Sequence, residues 1–262
     1  LRKMAIFAQG VSLSKALELL RRKKQMPTPL TSREIEELSV ETRQRALFSA
    51  RVENTVFLDR LKTGLEEILA GRLNEAGLKS QLRELVESTD PSALRTDPRL
   101  NLIVSHNLRA LTSGGELHRQ QDPIVARQYP ARRFYRRFKR QQPRDWVSRW
   151  ATASAGQNGV LAQFLAMLDS PVWRRLNRFG TDHAPFDFNS GKDTKPVSRR
   201  QLIAEGHLAE GDNRPPDVSQ KTPLNRNLQA RPPIKDNRFR EALEQSGLGN
   251  FDTEGNFTPT FV

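Results

Sequence analysis

The chain has 262 residues, of which 36% are hydrophobic and 28% are charged, and its net charge is +13. This length is sufficient for one large domain or two small ones with a buried core. The absence of cysteine excludes disulfides and thiolate metal sites, and the longest nearly apolar stretch, Gly159 to Leu168, is far shorter than the roughly 20 residues that cross a bilayer, so we expect no membrane-spanning segment.

The first third of the sequence predicts helices. An apolar face runs from Leu13 to Leu20 and is followed by four basic residues, which suit a helix C-terminus. Thr31, with Glu34 three residues later, has the capping-box spacing that starts a second helix. Apolar residues at a period of about 3.6 then run from Phe57 to Leu69, and a shorter helix carries Leu78 to Val86.

A further helix is expected to start at Asp97. Aspartate is a good N-cap, and Pro98 fits the first helical position because proline has no N–H to lose there. Apolar residues at helical spacing continue to Leu111. The pair Gly114-Gly115 predicts the end or an interruption of this helix, since glycine is a poor helix former.

The clearest local signal is a basic and aromatic segment, QYPARRFYRRFKRQQPRDWVSRW, at residues 128–150. Residues 127–150 carry nine basic side chains and one acidic one, so this segment holds most of the excess positive charge. A helical interpretation of this segment before Pro143 would place arginines on one stripe and phenylalanines on another. Trp146 and Trp150, spaced i and i+4, are predicted to be core anchors.

This segment predicts a contact with nucleic acid. Guanidinium groups pair well with phosphate oxygens, and such binding depends on salt and is largely independent of base sequence. The predicted contact residues are Arg132, Arg133, Arg136, Arg137, Lys139 and Arg140. Two other interpretations remain open, namely a solvated cationic face and a contact with an acidic protein surface.

The second half of the sequence is less regular. From about residue 170 onward, frequent Gly, Pro, Asn and Asp favour short strands between loops. Residues 211–237 contain five prolines and few apolar side chains, which predicts an extended arm. A short helix is expected from Arg238 to Ser246, followed by Gly247. Three aromatic residues near the end predict a docking tail; they are Phe251, Phe257 and Phe261.

These signals together predict an α+β fold that is predominantly α-helical. We expect a helical N-terminal region at residues 1–95, a compact α+β domain at residues 96–210, and a Pro-rich arm with an aromatic tail at residues 211–262.

The sequence offers little for catalysis. None of its four histidines has a second histidine or a carboxylate at a convincing metal-ligand spacing, and neither a phosphate-binding glycine loop nor a nucleophile elbow is present. We therefore predict no enzymatic activity, no catalytic residue, no cofactor and no metal. The competing hypothesis is an enzyme acting on nucleic acid, with a cleft that gathers Asp182, His183 and Asp187.

Three stretches between residues 98 and 206 resemble a known family. RLNLIVSHNLRAL, residues 99–111, resembles a family helix in which Asn107 and Arg109 fall on the motif. DSPVWRRL, residues 169–176, is similar to an Asp-Pro-hydrophobic-Trp step, with Trp173 on the tryptophan. APFDFNSG, which contains Pro185 and Phe186, and VSRRQLIAEG resemble a Pro-Pro-rich turn and a Ser-Arg-Arg-x-Leu helix. The family is that of the Mu F-like minor head (head morphogenesis) proteins of tailed phages.

The resemblance implies a minor head (capsid) protein of a tailed phage or prophage, found in the virion and, during assembly, in the host cytoplasm. Its implied partners are the phage portal protein, other head proteins and double-stranded DNA, and its implied role is head assembly and DNA packaging or delivery. Trp146 and Trp150 stand roughly where the family has an Asp-x-Arg-Thr pattern, and the family's Cys-Arg-Cys motif is missing, so no catalytic or metal role is carried over. The alternative hypothesis is a nucleic-acid-binding or nucleic-acid-modifying protein with no virion role.

Overall fold

The computed structural model describes residues 13–28, 30–36, 46–47, 49–89, 97–139, 144–218, 240–241, 244–245, 249–251, 253 and 257–259. The chain divides into two compact units. The first, the helical unit, comprises Leu17–Leu108 and Leu224–Val262, and the second, the sheet unit, comprises Leu1–Ala16 and Arg109–Pro223. The division falls inside one long helix, and the domain boundaries expected at residues 95 and 210 remain a prediction.

The helical unit begins inside α1, residues 13–22. Its further elements are β1 (Lys24–Gln25), α2 (Ser32–Glu36), β2 (Ala46–Leu47), α3 (Thr55–Leu69), α4 (Glu75–Thr89) and the first part of α5 (Asp97–Gln120). The strands β1 and β2 form a two-residue parallel pair. The predicted capping box is confirmed at the start of α2, where Thr31 N donates to Glu34 Oε2 at 2.7 Å and Glu34 N donates to Thr31 Oγ1 at 3.3 Å.

The core of the helical unit is aliphatic. The helix α3 packs against α4, and the buried residues of the two helices are Phe57, Leu58, Leu61, Leu65, Leu69, Leu78, Leu82 and Val86. Asn54 caps α3 by accepting from Phe57 N at 3.0 Å. Gly64 permits the close approach of the helices, because a Cβ there would lie 2.1 Å from Leu78 Cδ1. The helices predicted from leucine spacing at residues 57–69 and 78–86 are confirmed.

The sheet unit is built around one four-stranded antiparallel sheet with the strand order β4-β5-β3-β6. Its elements after α5 are α6 (Pro123–Gln128), β3 (Ala131–Arg136), α7 (Trp146–Ser154), β4 (Val160–Ala162), β5 (Leu165–Met167), α8 (Val172–Leu176), β6 (Lys192–Val197) and α9 (Arg199–Ala204). The central strand β3 pairs with β6 along its whole length, from Ala131 opposite Val197 to Arg136 opposite Lys192. The fold is therefore α+β and mostly helical, as the sequence predicted.

The basic segment is a strand at its start, which corrects the helical interpretation. β3 receives its backbone hydrogen bonds from β5 on one side and from β6 on the other. Side chains alternate between the two faces of a strand, so Arg132 and Phe134 share one face and Arg133 and Tyr135 share the other. Both partner strands lie far from β3 in sequence, so local helical spacing could not reveal this pairing.

The helix α5 also differs from expectation. Gly114 and Gly115 do not end it, because it continues to Gln120. Both glycines are buried, and so are Leu111 and Leu117 on either side. Burying a leucine contributes about 1.5–3 kcal/mol, which offsets the cost of about 1 kcal/mol for each helical glycine.

The core of the sheet unit is aromatic. The Phe134 ring centroid lies 5.2 Å from that of Trp146 and 5.0 Å from that of Phe186, and the rings of Trp150 and Trp173 are 5.7 Å apart. These five residues are buried, and aromatic pairs at such separations stabilise a core beyond the area that they bury. The prediction that Trp146 and Trp150 are core anchors is confirmed. Pro185 is buried beside this core after a cis peptide bond.

Only part of the C-terminal region is described. The strands β7 (Gly249–Phe251) and β8 (Phe257–Pro259) form an antiparallel pair in which Phe251 lies opposite Phe257. Residues 240–241 and 244–245 are helical, in agreement with the helix expected there. Most of the predicted arm, residues 219–237, and also Gly247 and Phe261 lie outside the described residues.

Candidate nucleic-acid interface

Arg132 must be removed from the predicted contact residues because it is buried, with 1% of the residue exposed. Its guanidinium lies 4.4 Å from the centroid of the Trp173 ring and donates to the backbone oxygens of Leu168 and Asp182. Burial lowers the pKa of Arg132 to about 10, so this arginine still carries its charge at neutral pH. Arg132 therefore supports the fold, and a phosphate has no access to it.

The other predicted contact residues have different environments. Arg133 forms an ion pair with Glu205, which follows α9. Arg136, Arg137 and Lys139 are exposed at the end of β3 and just after it. Arg140 lies outside the described residues. Hence three of the six predicted cations stand together at one end of the strand and face solvent.

A first cluster at this end surrounds the Asp193 carboxylate. Arg137 Nη1 lies 3.1 Å and Arg109 Nη2 lies 3.4 Å from Asp193 Oδ2. Arg109 also donates to the backbone oxygen of Lys192, and burial lowers its pKa in spite of the opposing effect of Asp193. Arg137 is more exposed, with 56% of its side chain accessible. The cluster therefore has two cations and one anion, and Arg137 is its accessible cation.

A second cluster surrounds Asp187, whose side chain is completely buried. Arg144 Nε and Arg149 Nη1 lie 2.9 Å and 2.8 Å from Asp187 Oδ2, and Arg178 Nη1 lies 3.4 Å from Oδ1. The side chains of these three arginines are 31%, 41% and 44% exposed. The anion is therefore enclosed while the three cations reach solvent, and the four groups together carry a net charge of +2.

The helix α7 and the aromatic core hold these arginines in place. Asp145 caps α7 by accepting from Ser148 N at 3.0 Å, and Trp146 and Trp150 anchor the helix in the core. Arg149 lies between these tryptophans in sequence, and its guanidinium is 5.0 Å from the centroid of the Trp146 ring. Arg178 follows α8, and its backbone N donates to Phe186 O at 3.0 Å.

One loop brings the two clusters to the same end of the sheet. Asp187 and Gly191 are four residues apart, a separation of at most about 14 Å along the chain, and Gly191 O accepts from Arg137 N at 2.9 Å. We call this region the arginine end. It comprises Arg109, Arg136, Arg137, Lys139, Arg144, Arg149, Arg178, Asp187 and Asp193.

Sequence reasoning missed part of this region. Arg144 and Arg149 belong to the basic segment but were not among the predicted contact residues, and Arg178 lies well beyond it. Of the residues that carry the family resemblance, Arg109 binds Asp193 as described, and the Asn107 side chain donates to Ile103 O within α5 at 2.9 Å. The only sequence signal for the Asp187 cluster is the excess of arginine over carboxylate in this half of the chain.

A small open cleft of about 170 Å³ lies beside β3 and α5. Its lining includes Glu116, Gln120, Arg132, Tyr135 and Asp193. Burial raises the pKa of Tyr135, and the nearby Asp193 adds to this effect. Because its ionised lining residues are two carboxylates and one buried arginine, this cleft does not favour a polyanion, in contrast to the arginine end.

The residues named for the competing enzyme hypothesis have different interaction partners. Asp182 pairs with Arg174 at 2.8 Å, Asp187 pairs with its three arginines, and His183 Nδ1 lies 2.8 Å from Ala184 O. Within the part of the chain that the structure describes, no group of three or more histidines or carboxylates could hold a metal ion. Among the same residues, no helix is both long enough and apolar enough to cross a membrane.

Comparison with known proteins gave no match to any family model, curated protein or solved structure. The resemblance to the Mu F-like proteins therefore rests on the sequence stretches alone.

Proposed function

We propose that this chain is a structural, DNA-associated protein that binds the phosphate backbone of double-stranded DNA through its arginine end. The observation that carries the proposal is the Asp187 cluster, in which one enclosed carboxylate holds three accessible guanidinium groups. Planar guanidinium groups fixed in this way are suited to the paired oxygens of phosphate. Arg136, Arg137 and Lys139 extend the same positive surface.

The charge distribution supports the same proposal. The sheet unit carries 23 Lys and Arg against 11 Asp and Glu, whereas the helical unit carries 20 against 19. A one-sided excess of this kind attracts a polyanion and speeds its association. Binding to phosphates would fix the orientation of the duplex without reading base sequence, so we propose no sequence specificity and no catalytic activity.

The biological setting that we propose is the head of a tailed phage or prophage, where the chain would act as a minor head protein at the portal vertex. The support for this setting is the resemblance of residues 99–111, 169–176, 184–191 and 197–206 to the Mu F-like family. A basic surface is also consistent with a protein that contacts packaged or entering DNA.

The DNA part is tested by the anisotropy of a fluorescent duplex of arbitrary sequence over a range of salt concentrations. Each phosphate contact contributes about 0.9 to the slope of log K against log salt, so replacing Arg136, Arg137 and Lys139 by glutamine should lower the slope by about 2 to 3. The matched control replaces Arg174, Arg175 and Arg200, which are exposed cations of the same unit outside the arginine end. Equal slopes for both triple variants would contradict an interface at the arginine end.

The virion part is tested by co-purification with a co-expressed phage portal protein, at low and at high salt. Retention that resists salt is expected for a head protein. Absence of portal binding together with salt-sensitive recovery of nucleic acid would favour the alternative, a nucleic-acid-binding protein with no virion role.

A further inference from the structure

We propose that Arg144, Arg149 and Arg178 form a discrete site for one phosphate monoester dianion, the group present at a phosphorylated DNA end. The inference deepens the proposed function and rests on it for the identification of DNA as the source of the phosphate. The same chemistry is offered by free orthophosphate, so the two sources are separated by experiment below.

The geometry of the cluster points to a single small anion. The three guanidinium groups contact the two oxygens of the Asp187 carboxylate. Arg144 and Arg149 contact Oδ2, and Arg178 contacts Oδ1. Groups that share so small an acceptor must lie close to one another, and each keeps between 31% and 44% of its side chain exposed. We infer that an anion on the solvent side contacts more than one of these guanidinium groups.

The donors available to such an anion are numerous. A guanidinium has five N–H donors, and among the described residues the only hydrogen bond of the Arg149 side chain is the one to Asp187. Arg144 uses its Nε on Asp187 and its Nη2 on Phe188 O at 2.8 Å. The Arg149 guanidinium lies over the Trp146 ring. The Arg178 guanidinium lies over the Phe188 ring, 5.8 Å from the centroid of that ring.

The charge of the cluster selects a dianion. Three arginines and Asp187 leave a net charge of +2. The Asp145 carboxylate accepts from Ser148 N and Ser148 Oγ and, among the described residues, forms no ion pair with these arginines. A phosphate monoester carries close to two negative charges at neutral pH, because its second pKa is about 6. An internal phosphodiester carries only one. A terminal phosphate therefore neutralises the net positive charge of the cluster, whereas an internal phosphate neutralises half of that charge.

The Asp193 cluster provides an internal contrast. It contains one carboxylate for Arg109 and Arg137, so its net charge is +1, and Arg109 is only 12% exposed. That arrangement suits an internal phosphodiester contacted by Arg137 alone. The two clusters of the arginine end therefore differ in the phosphate that each favours.

The experiment compares the full chain binding to two blunt duplexes of the same sequence, one with 5′-phosphates and one with 5′-hydroxyls, at about pH 7.5 and moderate salt. We expect tighter binding of the phosphorylated duplex by about tenfold, the effect of one added charge-assisted hydrogen bond. Arg149→Gln and Arg178→Gln should each reduce this preference strongly, whereas the control Arg174→Gln should keep it. Arg178→Lys, which keeps the charge and the fold but loses the planar fork, should retain part of it.

A calorimetric titration with orthophosphate and with sulfate completes the test. Orthophosphate should bind the parent chain, bind more weakly at acidic pH because the dianion takes up a proton, and lose affinity in Arg149→Gln. Sulfate stays a dianion, so its binding should not weaken over that range. Equal affinity for both duplexes, together with no binding of orthophosphate, would overturn the inference and leave general DNA binding intact. Binding of orthophosphate without binding of either duplex would support the site and overturn the proposed function.

Discussion

The two compact units contrast in how they use charge. In the helical unit, ion pairs follow the helix surface, such as Glu18 with Arg22 and Glu75 with Lys79 at i,i+4, and such local pairs, which remain in contact with water, contribute little to stability. In the sheet unit, the buried carboxylate of Asp187 holds three arginines that are distant in sequence. The helical unit is nearly neutral and the sheet unit holds almost all of the net charge, so the capacity to bind a polyanion is concentrated in one unit.

The cores differ in the same way. The core of the helical unit consists mainly of leucines at helical spacing. The core of the sheet unit contains Phe134, three tryptophans and Phe186. Tryptophan and arginine lie together there, because the rings of Trp146 and Trp173 carry Arg149 and Arg132 on their faces. The aromatic core thus has a second role, which is to position guanidinium groups.

The largest effect is expected from Asp187→Ala. Removing the carboxylate leaves three arginines close together without their anion. Because the side chains of these arginines are 31%, 41% and 44% exposed, water compensates part of the loss, and the expected cost is about 2–3 kcal/mol of unfolding free energy. Tryptophan fluorescence during denaturant unfolding is the measurement, because Trp146, Trp150 and Trp173 all lie in the sheet unit.

Glu75→Ala is the matched control for this comparison, since it removes a carboxylate from a part-buried i,i+4 pair of the helical unit, where Glu75 also accepts from Ser105 Oγ at 3.2 Å. Its expected cost is about 1 kcal/mol, from one weak ion pair and one hydrogen bond. If Asp187→Ala were as mild as Glu75→Ala, the arginines of the sheet unit would be held by their rings and backbone contacts alone, and the contrast between the units would fail.

A smaller effect, in the helical unit, is expected from Gly64→Ala. The added Cβ would lie 2.1 Å from Leu78 Cδ1, so α3 and α4 must separate or Leu78 must change rotamer, at a cost of about 1–3 kcal/mol. Hydrogen exchange of the amides in α3 and α4 should quicken while tryptophan fluorescence stays unchanged. Thr63→Ala, at the exposed neighbouring position, is the control; a Gly64→Ala variant as stable as this control would show that the contact is not tight.

The two units also differ in how well the sequence predicted them. The helices α3 and α4 and the capping box of Thr31 and Glu34 depend on residues within a few positions of each other, so local spacing was sufficient. The strand β3 depends on pairing with Leu165 and Lys195, which lie opposite Arg133 on its two sides. The helical interpretation was wrong there because pairing with distant strands outweighs a local pattern.

The candidate site follows the same rule. The cationic character of residues 132–139 was predictable from composition, and Arg136, Arg137 and Lys139 are exposed as expected. The burial of Arg132 depends on Trp173, and the Asp187 cluster joins positions 144, 149, 178 and 187. No local signal relates these positions, since the chain between them forms α7, β4, β5 and α8 before it returns.

The smallest effect concerns Lys23 in the helical unit, whose ammonium donates to Ala46 O at 3.3 Å. Burial lowers the pKa of Lys23 from 10.5 to about 8, so the folded chain holds this proton less tightly than the unfolded chain does. Below pH 8 both states are protonated and the penalty is complete. Between pH 8 and 10.5 the unfolded chain binds more protons, so the free energy of unfolding should rise with pH over this window. Because burial also lowers the pKa of Lys62, the measurement is the difference between the pH–stability profiles of Lys23→Met and the parent chain. Lys79→Met, at a lysine that is partly exposed, is the control. A difference profile that is flat for Lys23→Met across this window would mean that the Lys23 ammonium stays hydrated in the folded unit.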